Sequence, residues 1–438
     1  MKFYQRKTFW FIFMISFSVI LARYIKIDMN DAGFGKGWYF GDAFSERNVQ
    51  SAARFYEDKG FKPNCGLPMY GYEDSIEANE TVYTHYPPLA EWIGGVISTT
   101  FKATSDHALS LFPLLLSVLL FFLIFKILAE IIGDDHISFV GASVLVLSNY
   151  FICWADDIHQ HLYIELCRWS FVYLWWKYLK APQRPYFILP ILCMLYAAMC
   201  LLSFEPYVYT AIITVGFSWV LSGRIFRWEN VLLLAVPVFA FALRLNLNAN
   251  YLGGFDAMIA DMKGAFINRT GGESGSSELG RAMGLRDYLG LLPKTRIHRL
   301  GHFYIFPSLV LFMLGILGLL RIRRYDDQLF RLSIVIYLAC VSWIFVMPQH
   351  ALIHIFTLRH MGIFMGLVLG FGLIAYVQLL KQHFSEKKYV FIGLHSLVIL
   401  YSIFYAGLNT VYFVYLKYGY LYPHWGTDNY EVIDHFLF

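Results

Sequence analysis

The sequence predicts an all-α polytopic membrane protein, a bundle of about 11 (11–13) transmembrane helices, and three observations lead to this prediction. The 438-residue chain is 58% hydrophobic and only 15% charged, whereas soluble domains are about one quarter charged. Its apolar residues recur in runs of roughly 17 to 22, the length that a helix needs to cross hydrocarbon. Clusters of Lys and Arg follow alternate runs, as expected of cytoplasmic loops. The chain 1–438 is therefore predicted to be a single transmembrane domain.

Eleven apolar segments meet the length requirement for a membrane span. The first follows a basic N-terminus and shows no small-residue cleavage site, so we expect a retained span rather than a signal peptide. The predicted spans are 8–27, 109–131, 137–153, 166–181, 186–203, 206–222, 229–246, 301–320, 329–347, 361–381 and 388–410.

Charge between the spans sets the expected orientation. Lys2, Arg6 and Lys7 place the N-terminus in the cytoplasm, because positive residues are retained on that side. Eleven spans then put every later basic cluster on the same side. The opposite side takes two large segments, a first external loop over 28–108 and a long external loop over 247–300. It also takes most of the acidic and histidine clusters, in 154–165 and 347–360.

The first external loop contains two predicted helices. An amphipathic helix begins after Gly41, with Asp42 at its N-cap, and Gly60 is a suitable stop. The second, 87–101, is apolar but short. We expect it to lie at the membrane interface, because a crossing here would reverse the side of every later basic cluster.

Two carboxylates stand at the start of the first of these helices. Asp42 and Glu46 are four residues apart, so they share one helical face near the outer leaflet. One interpretation is a helix cap and a solvated face. The other is that one of them performs acid–base chemistry.

The following stretch "THYPPLAEW" (84–92) supports the second interpretation through a resemblance. An acidic residue that opens a helix, a glycine that ends it, and a Pro-Pro turn leading into an apolar helix together resemble the C-type glycosyltransferase (GT-C) fold. The nearest families are the protein O-mannosyltransferases and the lipid A aminoarabinose transferases. The motifs cover about the first hundred residues, and the rest of the chain agrees by hydropathy.

The resemblance implies that a carboxylate of this loop is the catalytic base and that the donor is a polyprenyl-phosphate sugar. Those families carry an adjacent Asp-Glu pair, which is absent here. The "GDA" context favours Asp42 as the base and the spacing from Gly60 favours Glu46. His85, separated from the Pro-Pro pair by one residue, and Tyr83 are expected to bind substrate.

The chemistry of such a transfer predicts further candidate residues, which would bind the leaving phosphate. A leaving lipid phosphate needs cationic or hydrogen-bonding groups, and arginine can hold it bidentately. The segment 347–360, between two spans, supplies them, with Arg359 the best single candidate, in the set His350, His354, Arg359 and His360. The alternative is that these side chains anchor the protein to lipid headgroups.

Two more polar groups interrupt the apolar pattern. The loop "WADDIHQH" (154–161) resembles an acidic loop of these transferases, so Asp156 and Asp157 are candidate substrate ligands. With His159 and His161 they also form a candidate site for a divalent metal ion as cofactor, although the spacing matches no defined signature. Glu205, between two spans, is either functional or solvated by a wet loop.

The predicted function is an integral-membrane glycosyltransferase. It moves a sugar from a polyprenyl-phosphate donor to a hydroxyl of a glycan, lipid or protein acceptor, by an inverting displacement at the external, periplasmic or lumenal face of a cell (inner) membrane. No basic face suited to nucleic acid is present. The alternatives are a transporter, or a flippase or ligase of lipid-linked glycans. Transporters often have repeated halves and midplane charges, whereas the polar residues here collect at one interface.

Overall fold

The structure, a computed structural model, describes residues 43–73, 79–102, 104, 106–152, 154–270, 308–347, 359–384 and 386–410, with positions 286, 289, 304 and 351. In these ranges the regular secondary structure is helical except for one short antiparallel pair, β1 (Met69–Tyr70) with β2 (Thr81–Val82). The helices are α1 (Ala43–Lys59), α2 (Leu89–Phe101), α3 (Asp106–Ile132), α4 (Asp135–Val146), α5 (Asn149–Ile152), α6 (Gln160–Lys180), α7 (Ile188–Leu202), α8 (Glu205–Ser222), α9 (Trp228–Leu252), α10 (Phe255–Thr270), α11 (Leu309–Tyr325), α12 (Asp327–Val346), α13 (Gly362–Phe384) and α14 (Lys388–Thr410).

The predicted class, an all-α polytopic membrane protein, is confirmed. In the described ranges, five helical segments are long and apolar enough to cross a membrane, namely Ala108–Ile132, Trp228–Leu252, Asp327–Val346, Arg359–Phe384 and Lys388–Ala406. The predicted spans 166–181, 186–203 and 206–222 coincide closely with α6, α7 and α8. The predicted span 8–27 lies outside the described residues.

One predicted span is divided. Instead of a single helix over 137–153, the chain forms the 12-residue α4 and the 4-residue α5. Asp134 caps the start of α4 by accepting the Ile137 N–H at 3.0 Å. At its end the Ser148 hydroxyl donates to the Leu145 carbonyl at 2.5 Å, and such a local side-chain bond competes with helix continuation. Because residues Ile137–Val146 are buried on every face, α4 is an internal helix of the bundle.

Close helix packing depends on glycine at the crossing of α11 and α13. A Cβ added to Gly318 would overlap the Val368 carbonyl oxygen, and one added to Gly372 would overlap the Leu314 carbonyl oxygen. Small residues of this kind let two backbones approach directly, which is how helices associate in lipid. This crossing joins the C-terminal half of the bundle.

The first external loop folds as predicted into a helical pair. Helix α1 ends where Gly60 adopts φ +77° and its N–H donates to the Tyr56 carbonyl at 3.0 Å. Helix α2 packs on α1 through Gly95, where an added Cβ would come within 2.5 Å of the Tyr56 ring. At about 1.5 Å per residue, the 13 residues of α2 reach about 20 Å, well short of the roughly 30 Å of hydrocarbon. This length supports the expected interfacial placement.

The bundle separates two polar ends. Tyr86 of the first loop meets Gln160 at the start of α6 and Ser203 at the end of α7, so the segments predicted to be external share one end. The other end carries the basic clusters, where Lys177 pairs with Glu130, and Glu229 with Arg227. The grouping agrees with the predicted topology, while the assignment of this end to the outside stays a prediction.

Candidate functional site

Tyr86 of the Pro-Pro turn is the centre of a polar network at the predicted outer end. Its hydroxyl lies 2.8 Å from the Ser203 hydroxyl and accepts from the Gln160 side-chain amide at 2.8 Å. The Tyr86 ring also lies 6.1 Å from the His159 ring. Three segments that are far apart in sequence therefore meet at one phenol.

The acidic and histidine loop 154–161 forms the next layer. Asp156, Asp157, His159 and His161 are all buried. Asp157 accepts the backbone N–H of His159 at 2.7 Å, and the two imidazole rings lie 5.5 Å apart. Within the described part of the chain, however, no three His, Cys, Asp or Glu side chains converge as metal ligands would.

A buried ion pair lies on α6, the helix into which this loop continues. Arg168 bonds to Glu165 one turn earlier on α6, and both side chains are 2% exposed. Glu165 also accepts from the Tyr150 hydroxyl at 2.7 Å, and Tyr150 in turn accepts from the Trp169 indole at 2.7 Å. Because Arg168 is paired with Glu165, this network holds α5 against α6 without an isolated buried charge.

Arg359 is a buried arginine of the site with hydrogen-bond donors that are unsatisfied within the described part of the chain. It is 4% exposed and lies 5.1 Å from the Trp154 ring and 5.9 Å from the Tyr150 ring. Its Nε and Nη1 groups have no hydrogen-bond acceptor within the described residues. Buried donors that lack an acceptor are costly, so the environment of Arg359 favours an anionic ligand. His360 follows it beside Tyr209, at 6.0 Å.

Of the two predicted bases, Glu46 lies among the described residues and Asp42 does not. Glu46 is half-buried on α1, and both Glu46 and Asp157 act electrostatically on the Tyr163 phenol. The structure therefore brings Glu46 towards the acidic and histidine loop. Asp42, His350 and His354 lie outside the described residues, so their roles stay predictions.

Glu205 belongs to the same network. It is 4% exposed at the start of α8, and it accepts a hydrogen bond from the Ser203 hydroxyl, which also contacts Tyr86. Its carboxylate is thus linked to the histidine loop through two intervening residues, Ser203 and Tyr86. Glu205 is therefore buried in the structure, and its functional role stays a prediction.

An apolar groove adjoins the network. It has a volume of about 480 Å³ and opens between α8, α9, α10 and α12. Tyr86 stands at its polar end, and most of its wall is aliphatic or aromatic, including Phe204, Tyr207, Phe241, Trp343 and Met347. The shape suits a chain-like apolar ligand whose head reaches Tyr86.

His85 lines the polar end of the groove, and hydrogen bonds from α9 hold the preceding residue, Thr84. The Thr84 carbonyl accepts from Arg244 at 3.0 Å and from Asn248 at 2.9 Å, both on α9. The His85 imidazole lies 2.8 Å from an oxygen of Asp261 on α10. Tyr83 places its ring edge-on to His85 at 5.6 Å. His85 thus faces the groove, as a substrate-binding residue must, and its structural partner is a carboxylate.

One further carboxyl of the first loop is perturbed. Glu91 of α2 is 1% exposed and accepts from the Tyr70 hydroxyl at 2.8 Å. Burial raises the pKa of Glu91 to about 7, and the Tyr70 hydrogen bond opposes this rise only in part. The carboxyl therefore exchanges its proton near neutral pH, although it lies in the packing between α1 and α2 rather than at the groove.

Several site residues have no role in the sequence prediction. Arg244 left the clearest signal, because a charged residue inside a predicted span is costly and usually has a purpose. Tyr86 lies within the "THYPPLAEW" motif, but the motif predicts no separate role for it. Asp261, Gln160 and Glu165 carry no local signal, since their importance comes only from what they contact.

Comparison with known proteins shows the fold and little more. No family model matches the sequence, and no curated protein matches it either. Among solved structures, the chain is similar to the crystal structure of the Archaeoglobus fulgidus oligosaccharyltransferase in complex with zinc and sulfate. The TM-score is 0.55 at 12% identity, over 92% of this chain and 53% of that one. The chain spans about half the length of that enzyme. The likeness confirms the GT-C-like fold that the first-loop motifs implied.

Proposed function

We propose that this chain is a membrane glycosyltransferase that transfers a sugar from a polyprenyl-phosphate donor to an acceptor hydroxyl. One observation carries the proposal: an apolar groove of about 480 Å³ is lined by Tyr86, whose ring lies 6.1 Å from His159 of the buried acidic and histidine loop. Such a junction fits an amphiphile whose chain is apolar and whose head is reactive. The fold that the chain shares with an oligosaccharyltransferase supports the same class of reaction.

The reaction needs one base and one anion-binding group. As the acceptor oxygen bonds to the anomeric carbon, its proton passes to a carboxylate and the bond from that carbon to the phosphate oxygen breaks. The lipid phosphate leaves with the electron pair. A single displacement of this kind inverts the anomeric carbon. Asp42 and Glu46 are the proposed bases, with Asp157 next, since it lies with Glu46 near Tyr163.

The leaving phosphate is assigned to Arg359. Its two donors without an acceptor in the described residues are the best support, because a phosphate offers the bidentate acceptor that a guanidinium prefers. His360, with His350 and His354 of the same segment, is proposed to assist it. Asp156, Glu205, Tyr83 and His85 are proposed to contact the sugar or the acceptor from the Tyr86 network.

A metal ion is assigned no step. The similar oligosaccharyltransferase structure contains zinc, and Asp156, Asp157, His159 and His161 have suitable chemistry. Among the described residues, however, three such ligands do not converge on one point. The side chains in view therefore do not make a complete metal site, and the proposed chemistry needs only the protein groups.

The proposed setting is the external face of a cell membrane, with a glycan, lipid or protein as acceptor. A flippase, ligase or transporter of lipid-linked glycans would also use an apolar groove. A flippase or a transporter would leave the bond between sugar and phosphate intact, whereas a ligase would break it. Chemistry on purified protein therefore separates the proposal from the transport alternatives.

The test uses the purified full chain with farnesyl-phosphate-linked mannose, glucose or aminoarabinose. Water takes the place of the acceptor hydroxyl, and the measurement is the release of farnesyl phosphate and free sugar. We expect release that depends on the chain, and loss of roughly a hundred- to ten-thousandfold in rate for Asp42→Asn or Glu46→Gln, because a general base contributes about that factor. Asparagine still caps a helix, so folding should survive.

Glu57→Gln is the matched control, since Glu57 is on the same helix, three turns from Glu46. It should keep the wild-type rate. If neither the wild type nor any variant releases farnesyl phosphate from any of the three sugar donors, the proposal is contradicted and transport is favoured. Full rates in both base variants would move the base to Asp157.

A further inference from the structure

An internal anion contacts His85, which lines the polar end of the groove. Asp261 of α10 uses both carboxylate oxygens there: one accepts from the Thr84 hydroxyl at 2.7 Å, and the other lies 2.8 Å from His85 Nε2. His85 and Asp261 are 176 positions apart in sequence. A hydroxyl and an imidazole that converge on two oxygens of one anionic group form a small anion-binding site.

Hydrogen bonds from α9 hold this site in place. Thr84 is buried, and its carbonyl receives two hydrogen bonds from α9, one of them from Arg244. Arg244 is itself 3% exposed, lies 4.4 Å from the Phe204 ring and lines the groove. A fixed positive charge next to Thr84 and His85 makes this end of the groove favourable for an anion. Among the described side chains lining the groove, the charged or titratable ones are Arg244, His85, Tyr86 and Tyr207.

The helix that supplies Asp261 is attached by a hinge. The link between α9 and α10 consists of Gly253 and Gly254, both with positive φ, at 82° and 152°. Met262 and Ala265 of α10 form part of the groove wall. Asp261 therefore ties one wall of the groove to the first external loop, and release of this contact frees that wall to move about two glycines.

We propose that Thr84 and His85 form a subsite for the phosphate of a lipid whose chain lies in the groove, and that Asp261 occupies this subsite as an internal competitor until the lipid displaces it. The inference rests on the proposed function in one respect, because it identifies the lipid with the donor or product of the transfer. A phosphate presents adjacent anionic oxygens, as a carboxylate does, and so takes over both contacts. Its arrival moves α10 and opens the groove along the wall that carries Met262.

This subsite is distinct from the Arg359 position. A series of ring contacts links the groove to Arg359 in space. It runs from Tyr86 through His159, His161 and Trp154. A lipid phosphate at Thr84 and His85 is therefore an arrival or departure position, from which the head advances past Tyr86 towards Arg359.

The experiment measures binding of farnesyl phosphate to the purified full chain, with no sugar and no acceptor present. We expect Asp261→Asn to bind it roughly tenfold more tightly than the wild type, because the competing charge is gone. Asp256→Asn is the matched control, since Asp256 is an exposed carboxylate of the same helix. It should leave the affinity unchanged. Thr84→Val and His85→Ala should weaken farnesyl phosphate binding roughly tenfold.

Farnesol, which lacks the phosphate, should bind equally to all these variants and the wild type. Phosphatidate vesicles distinguish the source of the lipid: a gain in Asp261→Asn for farnesyl phosphate alone identifies a prenyl lipid, and an equal gain for phosphatidate identifies the bulk membrane. Unchanged or weaker farnesyl phosphate binding in Asp261→Asn would overturn the proposal, provided that its thermal unfolding matches the wild type. A gain that farnesol shares equally would also overturn it.

Because no transfer is measured, this result is independent of the proposed enzymatic activity. Tighter binding in Asp261→Asn alongside a chain that releases no farnesyl phosphate from sugar donors would retain the subsite and reject the transferase.

Discussion

At the scale of single residues, Arg359 is the group whose surroundings say most about the ligand. Its guanidinium is buried against Trp154 and Tyr150, with Glu165 and Asp157 as the carboxylates that stabilise its charge. Neither Nε nor Nη1 of Arg359 finds a hydrogen-bond acceptor among the described residues. A ligand that supplies the missing acceptors should therefore bind tightly here.

We expect Arg359→Ala to weaken donor binding by about 1.5 to 3 kcal/mol, which is the usual cost of losing a charged hydrogen-bond partner and corresponds to roughly ten- to a hundredfold in affinity. Acceptor binding should change much less. The measurement is equilibrium binding of a farnesyl-phosphate sugar to each variant. Arg331→Ala is the control, since Arg331 is an exposed arginine paired with Asp327 at the opposite end of α12. Equal donor affinity in Arg359→Ala and the wild type would reassign Arg359 to a purely structural role.

At the scale of elements, the crossing of α11 and α13 is the contact most sensitive to a single methyl group. Gly372 leaves no room for a Cβ against the Leu314 carbonyl, and backbone atoms cannot move aside as a flexible side chain can. Gly393 on α14, by contrast, has nothing within 4 Å of an added Cβ.

Gly372→Ala should therefore destabilise the folded bundle by about 1 to 3 kcal/mol, as overpacking of a close-packed interior does. Gly393→Ala should leave the stability unchanged or slightly raised, because alanine is the better helix former. The measurement is the thermal unfolding of each variant in the same detergent. A Gly372→Ala transition at the wild-type temperature would show that the two helices can separate without cost.

At the scale of the whole molecule, the grouping of polar segments at one end has a topological consequence. The first external loop, the acidic and histidine loop and Arg359 share that end, while Glu130, Lys177 and Glu229 mark the other. Positive residues are retained in the cytoplasm, so the candidate site should face the outside.

Single cysteines at exposed positions test this expectation in a background from which the native cysteines are removed. Glu80→Cys, in the first loop, should react with a membrane-impermeant thiol reagent in intact cells. Phe226→Cys, 95% exposed between α8 and α9, should react only after permeabilisation. The reverse pattern would place the site in the cytoplasm and exclude an external donor.

The sequence by itself determined the class of the protein, most of its helices and the sorting of its loops into two sets. Hydrophobic runs and alternating basic clusters are local properties, and the bilayer acts on each segment according to its own composition. The helix between Asp42 and Gly60 could be predicted for the same reason, because an amphipathic stripe and a terminating glycine are local signals.

Only the tertiary structure decided which polar side chains meet. Neither the bond from Tyr86 to Gln160 nor the contact of Asp261 with Thr84 and His85 has a local signal, since each joins segments that are far apart in sequence. The break between α4 and α5 was missed as well, because an apolar run does not tell a lipid-facing helix from one buried on every side. The physical reason is the same in each case. Burial and hydrogen bonding are set by the neighbours that packing brings, and packing is a property of the whole chain.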